Sequence, residues 1–182
     1  MTIFSEAFSL APALNLCGTG RQDCRDLHAW GPGVRPIYII HHVLRGKGFL
    51  ETRKMRFSIS AGESFLICPY ETVWYYPDPA DPWEYTWVEF DGAEAAALLQ
   101  ECAMSPASPV CPPFTDTPLA AVFDRLQKID IYRKNRAEAQ GLLRAILGIY
   151  ADGFPASAQS IPPENELLST AIRLIRTNYH HS

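Results

Sequence analysis

Residues 37–68 read IYIIHHVLRGKGFLETRKMRFSISAGESFLIC, and the way this stretch divides decides the fold. Four short runs stand out: IYIIHHVL (37–44), GFLET (48–52), RFSIS (56–60) and SFLIC (64–68). Each is rich in β-branched and aromatic residues, which suit a pleated, half-buried surface. The separators Arg45-Gly46-Lys47-Gly48 and Ala61-Gly62-Glu63 have the glycine and polar content of hairpin connections. A further run, EYTWVEF, follows at 84–90. Several short strands at close spacing predict an antiparallel sandwich or barrel.

Beyond residue 91 the pattern turns helical. Asp91-Gly92 leads into AEAAALLQEC (93–102), a run of strong helix formers. After a proline-rich connector (105–113), Thr117 is the expected N-cap of a second helix, with Pro118 at its first position. Asn135 is the expected cap of a third helix. In it Ala139, Leu142, Leu143, Ile146, Leu147 and Tyr150 recur at three- and four-residue steps and form an apolar stripe. The segment ADGFPASAQSIPPEN (151–165) reads as a linker, and ELLSTAIRLIRTNYHHS (166–182) as an amphipathic helix. The expected organisation is therefore an N-terminal arm and β-rich unit (1–91), a helical segment (92–150), a linker (151–165) and a final segment (166–182).

At 182 residues the chain can bury one substantial core, or a core and an appendage. The formal charge of −4 argues against wrapping a nucleic acid by bulk charge. No apolar run is long enough to span a bilayer, and Met1–Leu10 lacks the basic-then-apolar pattern of a secretory signal. A cytoplasmic location without membrane contact is the expectation. The five cysteines are odd in number and scattered, which fits reduced thiols rather than a disulfide framework.

Candidate chemistry is sparse. Adjacent side chains on a strand face opposite sides, so His41 and His42 cannot ligate one ion without a bulge. No third ligand is found where a small-barrel metal enzyme needs one. Val73 and Trp74 stand in the later segment where such a histidine would fall. There is no Gly-x-Ser-x-Gly elbow, dinucleotide fingerprint or Walker loop. No catalytic residue, metal ligand or cofactor is assigned.

The stretch DPWEYTWVEFDG (81–92) is more telling. On a strand, Trp83, Tyr85, Trp87 and Glu89 share one face. Two readings stand side by side: the rings fill the barrel, or they form a wall for a flat, hydroxylated ligand. In the second, Trp87 is the stacking platform, Tyr85 and Glu89 lie beside it, and Arg35 places its planar fork in the barrel mouth.

Taken together, GPGVRPIYIIHHVLRGKGFLE (31–51) and AGESFLICPYETVWYYPDPADPWEYTWVEFDG (61–92) carry a family resemblance. They resemble the N-terminal effector-binding and dimerisation domain of AraC-type transcriptional regulators, from about Cys17 to Tyr150. The likeness is to the branch that senses oligosaccharides: the raffinose, melibiose and multiple-sugar regulators. The resemblance implies a cupin-like antiparallel β-barrel of the jelly-roll type, followed by a helical dimerisation segment. In an arabinose-sensing member, an Arg-Pro arginine binds sugar hydroxyls and matches Arg35. A stacking Trp matches Trp87, and a contact residue two positions earlier matches Tyr85, although a histidine stands there in that member. A further Tyr contact matches Tyr75. Glu89 rests on strand parity alone.

The partners implied are a small-molecule effector of carbohydrate type and a second copy of the chain, paired through the 135–150 helix. DNA is reached only through a missing C-terminal helix-turn-helix domain, of which 166–182 is the start. Residues 1 to about 20 form an arm able to act as a lid. A metal-dependent cupin isomerase or dioxygenase, and a dimerisation module without ligand, are the competing classes.

Overall fold

The computed structural model describes residues 13–114, 117–131 and 136–155. The first eight strands are β1 (Asn15–Asp23), β2 (Trp30–Val34), β3 (Tyr38–Arg45), β4 (Lys47–Thr52), β5 (Arg56–Ser60), β6 (Ser64–Ile67), β7 (Thr72–Pro77) and β8 (Glu84–Asp91). They are followed by α1 (Ala95–Glu101), β9 (Val110–Cys111), α2 (Leu119–Gln127) and α3 (Arg136–Gly153). The strands form a five-stranded sheet in the order β1-β8-β3-β6-β9 and a four-stranded sheet in the order β2-β7-β4-β5. Every ladder is antiparallel. This is the expected cupin-like, mainly β fold with C-terminal helices. Its strands lie in two sheets rather than one closed barrel.

Period-two alternation gives the five-stranded sheet two buried faces. Ile39, Val43, Phe65, Ile67, Trp83 and Tyr85 meet Leu50, Ile59, Val73 and Tyr75 of the other sheet in one core. Ile40, Leu66, Val88 and Phe90 point the other way, into a second core with Leu99, Phe123, Leu143, Ile146, Leu147 and Tyr150 of the three helices. The expected stripe on α3 is therefore packed against its own sheet. Leu142, at its edge, is half-buried.

Three expectations need correction. The glycine turns are not hairpins: β3 and β4 belong to different sheets, as do β5 and β6, so both turns are corners where the chain crosses over. Gly46 has φ of +68°, and a Cβ there would lie 2.5 Å from the Pro82 carbonyl oxygen, which is why glycine occupies the corner. The two corners are tied together by Ala61 N–H to Gly46 O (2.9 Å) and Gly62 N–H to Val43 O (2.8 Å). The true hairpin of this stretch is β4–β5, turned by the glycine-free Arg53-Lys54-Met55. Secondly, the end of the expected arm, from Asn15 to about residue 20, belongs to a strand, Asn15–Asp23, paired along β8. Thirdly, α2 is capped by Pro118 without a side-chain hydrogen bond, so Thr117 does not cap it.

The α3 helix runs to Gly153, taking the first residues of the expected linker. Asn135, residues 1–12 and the 166–182 segment lie outside the described residues. The cysteines described are free thiols, and four of the five are buried. No described helix is long and apolar enough to cross a membrane.

Candidate functional site

Between the two sheets lies a cavity of about 120 Å³ lined by Gln22, His28, Trp30, Arg35, Ile39, His41, Tyr75, Tyr85, Trp87 and Glu89. All five residues singled out from the sequence, Arg35, Tyr75, Tyr85, Trp87 and Glu89, are on this wall. Strand β8 supplies Tyr85, Trp87 and Glu89 at alternate positions, β7 supplies Tyr75, and Arg35 sits just before β3. Trp83 shares the face but lies deeper. It is fully buried and stacked on Phe65 (centroids 5.6 Å apart), and it does not border the cavity.

Glycines opposite the rings make the wall possible. A Cβ on Gly20 would come within 2.2 Å of the Trp87 ring, and one on Gly18 within 2.9 Å of Glu89 Oε2. Both glycines lie on β1, beside β8 in the ladder. A Cβ on Gly48 would likewise fall 2.4 Å from the Trp83 ring. Gly18 and Gly20 are the positions the carboxylate and indole lie across.

The polar groups of the cavity are arranged with few mutual contacts. Trp87 Nε1 donates to Glu89 Oε1 at 3.2 Å. The Arg35 guanidinium lies over the Trp30 ring, 4.5 Å from its centroid, and its Nε is buried without a partner. Tyr85 is held protonated by burial, and the Tyr75 hydroxyl is pushed up to about 12, chiefly by burial. His41 is pushed down to about 3 by burial and then by the charge of Arg35. The wall carries the Arg35 guanidinium and the Glu89 carboxylate, beside a neutral His41 and the protonated Tyr75 and Tyr85 hydroxyls. It can stack a ring, donate from Arg35 and accept hydroxyls at Glu89.

His41 and His42 face opposite sides, as strand geometry dictates. His41 borders the cavity, whereas His42 stacks on Phe123 of α2 and bonds Ser64 Oγ through Nδ1 at 2.9 Å. Among the described residues no three His, Cys, Asp or Glu side chains converge on a metal site. Sequence reasoning missed Gln22, His28, Trp30, Ile39 and His41. Parity along β3 could have placed Ile39 and His41. Gln22, His28 and Trp30 enter through β1, β2 and their connection, for which the sequence carried little strand signal.

Behind the wall the helices hold β8 and β1. Gln127 Nε2, at the end of α2, reaches Thr19 Oγ1 (2.5 Å), Gly20 O (3.0 Å) and Thr86 Oγ1 (3.1 Å). Thr19 in turn donates to the Trp87 carbonyl at 2.8 Å. From α3, the Tyr150 hydroxyl donates to Ser64 Oγ at 2.8 Å, joining the contact made by His42.

Residues 18–162 match the family model described as the AraC-like ligand binding domain. The chain is 32% identical over 85 residues to the Msm operon regulatory protein of Streptococcus mutans, covering 47% of this chain and 31% of that protein. It is 30% identical over 88 residues to the raffinose operon transcriptional regulatory protein RafR of Pediococcus pentosaceus, covering 47% and 32%. Each match thus spans about a third of the curated relative. Among solved structures, an apo form of ToxT from Vibrio cholerae superposes with a TM-score of 0.51 at 8% identity, over 79% of this chain and 56% of that one. A second ToxT structure gives 0.50 at 7% identity, over 91% and 65%. At such identity the likeness concerns the fold alone.

Proposed function

The chain belongs to the AraC-like ligand-binding domain family, and from that premise we propose that it senses a sugar, or the terminal ring of an oligosaccharide, in the cavity between its sheets. The observation that carries this reading is the joint presence of Trp87, Glu89 and Arg35 on one wall, with the arginine Nε unpartnered among the described residues. A pyranose presents an apolar C–H face to an indole and hydroxyls to rigid donors and acceptors. A cavity of about 120 Å³ is smaller than the ~150 Å³ that accommodates a benzene ring. A pyranose therefore enters by one face and edge, and the rest of an oligosaccharide stays outside. The names of the two curated relatives, both operon regulators, accord with a role in transcription control rather than catalysis.

In this reading DNA is bound by a helix-turn-helix region of which residues 166–182 are the start, and two subunits pair through the 135–150 helix. The apolar stripe of α3 is occupied at home, so pairing uses the opposite face. There Gly141 and Gly148 have open space around them and leave room for close approach. Occupancy then has to favour one arrangement of the domain over another by differential contact.

Thermal-shift and calorimetric titration with mono- and oligosaccharides tests the sensor. At about 100 times the dissociation constant a bound sugar stabilises by roughly 2.7 kcal/mol, about 5–11 °C in melting temperature for a chain of this size. If no sugar raises the melting temperature, and Trp87→Ala alters stability alone, the site is ordinary core.

A further inference from the structure

We propose that His41 is a ligand contact of this site, hydrogen-bonding a hydroxyl of an uncharged ring that the cavity admits. The proposal rests on the sugar-sensing reading above and adds a residue and a charge class to it.

His41 is 2% exposed and lies in the central strand of the wall. Its ring is fixed by aromatics: stacked on Phe65 (4.4 Å, 5°), edge-on to Tyr85 (5.0 Å, 80°) and close to Tyr75 (5.0 Å) and Trp87 (6.1 Å). Among the described residues Nδ1 is buried without a partner. Its neighbour His42, 8% exposed, has its Nδ1 bonded by Ser64 and Phe123 against its face. A buried polar atom left unpaired costs stability, and native proteins tolerate such atoms chiefly where they serve a purpose. At this position a phenyl ring would fill the same slot without that cost.

The imidazole stays neutral through burial and the nearby Arg35. It therefore offers one donor and one acceptor, in either tautomer. A hydroxyl is also both donor and acceptor and satisfies either form. A carboxylate only accepts, and it would meet the Glu89 charge on the same wall as well as Arg35. An ammonium only donates, and it would meet the Arg35 charge as well as Glu89, so neither sign of charge is welcomed by the pair as a whole. Both residues line the same space. The chemistry selects an uncharged polyol ring with one hydroxyl against the imidazole.

The test is calorimetric titration of the whole chain with neutral aldopyranoses and disaccharides, alongside glucuronate and glucosamine, for the wild type, His41→Phe and Trp87→Ala. The expected result is that His41→Phe melts at or above the wild-type temperature yet binds the neutral sugar at least about tenfold more weakly. A histidine with a purely structural role would not combine these effects. In the wild type, the His41 ring ¹⁵N resonances shift on saturation with that sugar. This measurement decides the matter if the variant does not fold. Unchanged affinity in His41→Phe, or unmoved ring resonances, overturns the proposal. If Trp87→Ala loses binding at the same time, the sugar reading survives without His41. Tighter binding of glucuronate or glucosamine refutes the charge class. No binding of any sugar removes both readings together.

Discussion

The substitution Gly20→Ala isolates the contact on which the geometry of the wall depends. Gly20 lies on β1 with an ordinary strand backbone, so alanine meets no conformational obstacle there, only the Trp87 indole. The added Cβ would stand 2.2 Å from Cζ2, 2.3 Å from Cη2 and 2.8 Å from Cε2. Ordinary van der Waals contact begins near 3.4 Å, so the ring has to retreat by about 1.2 Å (3.4 − 2.2). It can move only into the cavity, giving up its 3.2 Å bond to Glu89. Overpacking of this kind costs about 1–3 kcal/mol, offset by the ~0.5–1 kcal/mol that replacing a strand glycine returns. The net loss is about 0–2.5 kcal/mol, or up to roughly 10 °C in melting temperature. In a Trp87→Ala background the clash is absent, so Gly20→Ala is expected to stabilise by the smaller figure. A double-mutant cycle read by urea denaturation, with near-UV circular dichroism following the indole, measures this coupling. A coupling energy indistinguishable from zero, with the Trp87 signal unchanged by Gly20→Ala, would show that the ring does not rest on β1.

Two further expectations concern the buried polar groups. His41 is held at about 3 and His42 at about 4, both by burial, against an ordinary value near 6.5. Between about pH 6.5 and 4 the unfolded chain binds more protons than the folded one. Stability is therefore complete above that window and falls as the pH drops through it. The slope approaches roughly 1.4 kcal/mol per pH unit per histidine below pH 6.5, so about 4 kcal/mol is lost from both between pH 7.5 and 5. The depressed carboxylates Asp23 and Glu84 act only at lower pH. A urea midpoint unchanged between pH 7.5 and 5 would contradict this. At Ser64, removal of the hydroxyl strands both His42 Nδ1 and the Tyr150 hydroxyl, whereas Tyr150→Phe removes one bond and strands nothing that Ser64 cannot still share with His42. Ser64→Ala is expected to cost about 2–4 kcal/mol and Tyr150→Phe about 1 kcal/mol. Equal losses by chemical denaturation would dismiss the buried relay.

Strand runs, their alternation and the helical stripes were legible because each depends on neighbours within a few residues. Period two put Tyr85, Trp87 and Glu89 on one face and sent His41 and His42 to opposite ones. The 3.6-residue period marked the side of α3 that is buried. The family resemblance supplied Tyr75 and the cupin-like arrangement. Which sheet each strand joins is not local. The Gly46 and Gly62 turns look like hairpins from their composition. They are corners because β4 pairs with β5 and β7 while β3 pairs with β6 and β8.

Side-chain periodicity alone encodes a short-stranded antiparallel β unit followed by helices, with an aromatic and carboxylate face on one strand. It does not encode that β1 is a strand, that its glycines make room for Trp87 and Glu89, or that His41 Nδ1 lies beside the cavity unpartnered among the described residues. Those facts depend on which backbone passes opposite a given side chain, and long-range pairing settles that where local preference does not.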